Sequence, residues 1–185
     1  MECFTGKLLE LPALADAVRK AKDNFGIFGL SGCIDAAKPN IVHALSGGFT
    51  KCLLVTYSEV RGRELTSQLA FFDDEVCFYP PRDVLFYRSD VGGGAIESER
   101  ANAIGKMRHA GHAMIVTTFD ALLDYLVEPT AYDNMSLPVA TGAIMEMQAL
   151  VTRLSGMGYE RASLVERVGQ FAARGGIVDI WPIDG

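Results

Sequence analysis

The stretch FGLSGCIDAAK, residues 28–38, has the outline of a phosphate-binding turn. Gly29 and Gly32 would let backbone amides converge on an anion. A working loop also needs a lysine for the β- and γ-phosphates and a hydroxyl for magnesium. Counted from Gly29 as the first glycine, those two positions hold Asp35 and Ala36. A carboxylate aimed at a triphosphate repels it. Lys38 lies further along and is followed by Pro39, so it does not simply take the missing place. The turn has the shape of a nucleotide loop without its chemistry, and the expectation is that it holds neither ATP nor magnesium. An ordinary strand-to-helix turn reads the same way.

A second candidate is FAARGGIVDIWP, residues 171–182. Arg174 follows small residues and precedes two glycines, so a turn there would present its guanidinium outward, free to make forked bonds to a carboxylate. Arginine and aromatic residues at such places are frequent contact anchors. A solvent-exposed turn charge is the alternative.

The remaining groups carry less. FYPPRDVLFYRSD, residues 78–90, interleaves Phe78, Tyr79, Phe86 and Tyr87 with Arg82 and Arg88. Such a pattern can stack bases, but Asp83 and Asp90 oppose it, and a loop folded onto a sheet edge explains it equally. Asp73, Asp74 and Glu75 precede a strand, the wrong end of a parallel sheet for a magnesium carboxylate. His109 and His112 are too few to close a zinc site, so no metal is expected; His109 suits a helix C-terminus. No GxSxG turn is present, and no catalytic residue is assigned.

Cys3, Cys33, Cys52 and Cys77 never stand at CxxC spacing, which removes zinc-ribbon and thioredoxin-like readings. Cys52 and Cys77 sit in apolar runs and read as core thiols. Free thiols suit a reducing compartment, so the expected location is the cytoplasm. The apolar runs are far too short to span a membrane, and the first ten residues do not read as a signal peptide. Seventeen basic against 23 acidic residues leave a net charge of −6, which argues against general nucleic-acid binding.

The elements that must position these residues follow from periodicity. Helical spacing covers residues 7–22, 38–45, 58–71, 97–110 with a charged outer face, and 117–126. Short apolar runs at 25–32, 51–57, 75–80 and 112–118 read as strands. Ser58 is placed to cap the helix after the second strand. Residues 81–95 read as irregular, with a flexible tip at Gly92–Gly94. Four strands alternating with helices predict an open α/β sheet of parallel strands with flanking helices. Residues 129–138 read as a linker and 143–154 as a helix. From 163 to 184 the pattern changes to period two, with Leu164, Glu166 and Val168 alternating, then Ile177, Asp179 and Trp181, and Gly175–Gly176 as a turn. A boundary near residue 137 divides an α/β domain, 1–136, from the start of a small α+β unit, 137–185.

GMGYERASLVERVGQFAARGGIVDIWPID, residues 156–184, resembles the N-terminal module of the bacterial transcription-repair coupling factors, a module shared with the excision-repair protein UvrB. The turn at 28–38 stands where UvrB has its nucleotide loop. YPPRDVLFYRSD (79–90), ESERANAIGKM (97–107) and IVTTFDALLDYLVEP (115–129) match the segments that follow. The resemblance implies a degenerate P-loop, RecA-like fold similar to the first domain of UvrB, stripped of ATPase and damage binding, so not an enzyme. It further implies that the chain is a piece of a longer ATP-driven DNA translocase that dislodges stalled RNA polymerase. ATP, magnesium, polymerase and DNA contacts would belong to absent domains. In this chain the resemblance implies UvrA as partner with Arg174 as its contact, an intramolecular contact with later domains, and no membrane. An ATP-binding UvrB- or helicase-like module and a DNA-binding module are the alternatives.

Overall fold

AMIVTT is apolar or β-branched at every position, which suits a strand covered on both faces. It forms the middle strand of a three-stranded parallel sheet in a computed structural model that describes residues 2–23, 26–82, 93–126, 128–134 and 136–183. The elements run α1 (Glu2–Leu9), α2 (Pro12–Asp23), α3 (Lys38–Ser46), β1 (Lys51–Thr56), α4 (Glu59–Leu69), β2 (Val76–Tyr79), α5 (Gly93–His109), β3 (Ala113–Thr118), α6 (Phe119–Leu122), α7 (Pro129–Asn134), α8 (Met147–Gly156), β4 (Glu160–Arg161), β5 (Gln170–Arg174) and β6 (Ile177–Ile180). Two compact units result, Met1–Pro81 with Ala103–Leu122, and Arg82–Asn102 with Leu123–Gly185. This division runs through α5.

The first unit is an α/β layer. Its sheet has the order β1-β3-β2, with Lys51 opposite Ala113 and Val76 opposite Met114. Alternation along the strands makes two apolar faces. Met114, Val116, Val76 and Phe78 pack with Leu65 and Leu69 of α4, while Ile115, Cys77 and Tyr79 pack with Ala103 and Ala121. Ser58 caps α4 as expected, its Oγ accepting from the Arg61 amide at 3.3 Å. A Cβ on Gly62 would meet the Phe78 ring at 2.4 Å, so this glycine lets α4 lie close on the sheet.

Several expectations are corrected. Residues 26–31 are not a strand; Ile27 is fully exposed, and Phe28 and Leu30 are exposed. Gly26, Gly29 and Gly32 leave too few side chains to pack and raise the entropy lost on ordering. Three strands therefore alternate with helices where four were predicted. The helix over 7–22 is two helices, divided before Pro12, which starts α2 because its ring is tolerated only in a first turn. The helix expected over 97–110 begins at Gly93 and that over 117–126 ends at Leu122. Residues 129–138 include α7, and α8 begins four residues later than predicted. Of the stretch 81–95 expected to be irregular, residues 83–92, with Asp83, Phe86, Tyr87, Arg88 and Asp90, lie outside the described residues, while Gly93, Gly94 and Ala95 belong to α5.

The second unit carries the β4-β5-β6 sheet, β5 pairing parallel with β4 and antiparallel with β6. The β5–β6 hairpin closes through Gly175, whose φ of +58° favours glycine. Leu164, Glu166 and Val168 are not in a strand. The Gln170 side-chain carbonyl instead accepts from the Glu166 and Arg167 amides at 3.0 and 3.3 Å, which folds that segment back on itself. Phe171, Val151 and Leu154 form the buried centre, with Val178 and Ile180 packed against it.

Candidate functional site

The glycine turn is irregular from residue 26 to 34, with φ of +80° at Gly32. Asp35, Ala36 and Ala37 form one tight 3-10 turn leading into α3. Asp35 is 79% exposed and pairs with Lys38 Nζ at 2.6 Å. The Lys38 ammonium bonded to it holds the Asp35 carboxyl below its ordinary value, so Asp35 is ionised at neutral pH and paired with Lys38. Beside the turn lies a cavity of about 500 Å³ walled by Leu30, Ile41, Val42, Leu45, Leu54 and Leu65, among others. Its basic lining residues are Lys38 and Arg61. Both are engaged by carboxylates, Lys38 by Asp35 and Arg61 by Glu64 at 2.8 Å. An apolar wall and two neutralised cations form a poor cradle for a polyphosphate.

The amino-terminal end of the first sheet is tied by polar groups that spacing alone did not predict. His112 lies 2.7 Å from Asp73 Oδ2 and 3.1 Å from the Phe49 carbonyl. Burial pushes the Asp73 carboxyl up, but the Glu75 amide and the His112 ring outweigh it and hold it below its ordinary value. Asp73 is thus a structural acid joining a turn to β3. Lys51 donates to the Lys106 carbonyl at 3.1 Å and to that of Ala110, completing the end of α5. Cys77 is a core thiol, and burial raises it to about 11, with Lys106 opposing and Glu75 assisting. Cys52, in β1, is half-buried beside the Leu65–Met114 cluster. Among the described residues, no group of three or more His, Cys, Asp and Glu could hold a metal ion, and no helix is long and apolar enough to cross a membrane.

Arg174 ends β5 at the hairpin. Cross-strand partners share a face. Phe171 with Ile180, and Ala173 with Val178, therefore point to the core under α8, while Arg174 with Ile177, and Ala172 with Asp179, point the other way. On that outer face Arg174 Nη2 meets Asp179 Oδ2 at 2.7 Å, with the side chains 60% and 44% exposed. The guanidinium is outward, as expected, but it is not free: Asp179 already holds one corner of it. The pairing follows from the turn length, because a two-glycine loop puts Arg174 opposite Ile177 and Asp179 one step diagonal to it. Ile177 and Trp181 are exposed as well.

Residues 137–185 match the family described as the UvrB interaction domain. The chain is also 27% identical over 135 residues, 72% of its length, to transcription-repair-coupling factors of Staphylococcus aureus strains bovine RF122 / ET3-1 and USA300. It is 25% identical over 135 residues to that of Staphylococcus haemolyticus strain JCSC1435. The chain resembles the UvrB-like N-terminal module of the coupling-factor family. The match spans 12% of those relatives' length. Arg174, the β5–β6 hairpin and the Phe171 core fall within the stretch similar to the UvrB interaction domain, whereas the glycine turn lies outside it.

Proposed function

We propose that the chain is a non-catalytic docking module that recruits UvrA by presenting a UvrB-like surface during transcription-coupled nucleotide excision repair, with Arg174 as an anchor. The observation that carries this reading is the coincidence of two features. The stretch similar to the UvrB interaction domain contains an outward arginine on a hairpin backed by a buried core. Lack of nucleotide chemistry in this chain is supported by Asp35 and Ala36 at the lysine and hydroxyl positions and by the apolar wall of the adjacent cavity. In the longer relatives, the ATP-driven translocase, its magnesium, and the RNA polymerase and DNA contacts would reside in other domains, and this module would also contact those domains within the chain.

The test is capture of purified UvrA by the chain and by Arg174→Ala. An arginine at an interface centre contributes about 2 kcal/mol or more, so the variant is expected to bind about thirtyfold more weakly. Unchanged circular dichroism would show that folding is intact. Equal capture by both proteins refutes Arg174 as the anchor.

A further inference from the structure

We infer that Asp179 is a placeholder: in the free chain it occupies the guanidinium of Arg174 that a carboxylate of the docking protein takes over on binding. The inference rests on the proposed docking role of Arg174 and adds to it the chemistry of the partner's contact and a second residue that sets its strength.

The argument begins with geometry. Arg174 and Asp179 share the hairpin face opposite Phe171, one diagonal step apart, and both are exposed although Ala172 on that face is buried. Their contact is a single one, Nη2 to Oδ2 at 2.7 Å. A guanidinium has five donors in a planar fork and is best satisfied by both oxygens of one carboxylate. A monodentate hold by Asp179 therefore leaves the fork mostly unused. Both side chains are well exposed, so the pair is screened by water and weak. A partner carboxylate approaching from outside can engage the fork with both oxygens and bury it, which strengthens the contact. The displaced Asp179, at the hairpin surface, returns to water. The exchange replaces a wet, one-point pair by a drier, two-point one.

The surroundings favour the same occupant. Ile177, the cross-strand partner of Arg174, and Trp181, just past the end of β6, are exposed. An apolar rim that excludes water around a central arginine is the arrangement in which a charged contact gains most. Asp179 also keeps the cation covered before docking. A neutralised Arg174 discriminates against weak anions, because any ligand must outcompete the internal carboxylate. The occupant that fits is thus a protein surface carrying an aspartate or glutamate beside apolar side chains, not a polyphosphate or a nucleic acid.

Calorimetric titration with purified UvrA at fixed low salt tests this with the wild-type chain, Asp179→Asn, Arg174→Ala and the double variant. Asp179→Asn keeps the shape and removes the competing charge. It is expected to raise UvrA affinity about two- to fivefold, the range an exposed ion pair supplies. That gain is expected to vanish in the Arg174→Ala background, because the competition has lost its object. Trp181 fluorescence monitors folding of each variant. If Arg174→Ala weakens binding but Asp179→Asn leaves it unchanged or weakens it too, the placeholder is overturned and the anchor survives. If the gain persists without Arg174, Asp179 acts directly on UvrA and the placeholder is again overturned. If Arg174→Ala binds as wild type, or UvrA does not bind at all, the docking reading fails and takes the placeholder with it.

Discussion

Phe171→Ala tests whether the platform under Arg174 has a core of its own. Phe171 is fully buried, and the other buried members of its cluster are Val151 and Leu154 of α8. Partly buried Leu150, Val178 and Ile180 surround them, and they belong to a helix and a hairpin that cannot simply close over a missing ring. Truncating such a phenylalanine removes its transfer free energy and leaves a cavity, about 3–5 kcal/mol together. A small unit unfolds in urea with a slope of about 1–1.5 kcal/mol/M, so the midpoint falls by about 2–5 M. Since small domains are stable by only about 5–15 kcal/mol, the second unit of the variant would stand at the edge of unfolding. The chain has one tryptophan, Trp181, and it lies in that unit, so its fluorescence reports there. Leu65, Leu69, Phe78 and Met114 form a separate cluster in the first unit, and the share of the circular-dichroism transition owed to that unit is expected to stay in place. A Trp181 midpoint that falls by less than about 0.5 M would refute the claim that Phe171 is the keystone of the hairpin.

Two other measurements bear on the first unit. Magnesium-ATP is expected to leave the thermal midpoint of the chain unchanged, because a ligand raises it only by binding the folded state; a saturable rise would overturn the reading of Asp35 and of the apolar cavity. Asp73, held below its ordinary value, contributes stability that is fully present above the unfolded carboxyl's value and is lost as pH falls through the depressed one. The difference in urea midpoint between the wild type and Asp73→Asn should therefore be largest near neutrality and shrink below about pH 4. A difference that grows on acidification contradicts the assigned direction.

Much of this architecture was legible in local patterns. KCLLVT, VCFY and AMIVTT became strands because each is a short apolar run closed by turn residues, and Ser58 became a cap because its hydroxyl precedes a helical stretch. What failed was decided by partners far away in sequence. FGIFGL has the composition of a buried strand, yet its glycines make ordering costly unless a neighbouring strand compensates, and no local signal says whether one does. Arg100 lies in the stretch 97–110, read as a helix with a charged outer face. It is 3% exposed, and Asp124, twenty-four residues on, accepts from its guanidinium at 2.9 Å. Asp179 was within reach of sequence reasoning: the register implied by two glycines already sets it diagonal to Arg174, but reading the turn alone left the arginine free.

The two exposed ion pairs of the chain's candidate sites look alike and differ in what lies beneath them. Asp35 and Lys38 stand at the end of an irregular glycine segment, on a one-turn helix start, with no paired strand under Asp35. A partner seizing Lys38 would have to order that segment, and each ordered residue opposes binding by about 1–2 kcal/mol. Arg174 and Asp179 stand on paired strands whose opposite face is pinned by Phe171, so most of that ordering is complete before any partner arrives. An anchor whose backbone is already fixed loses little entropy on docking, and its charge can act at full strength. On this ground a loop with the outline of a nucleotide site is the weaker place for recognition. The hairpin arginine is the stronger one, and its grip should depend more on the rigidity of Phe171 than on any residue of the glycine turn.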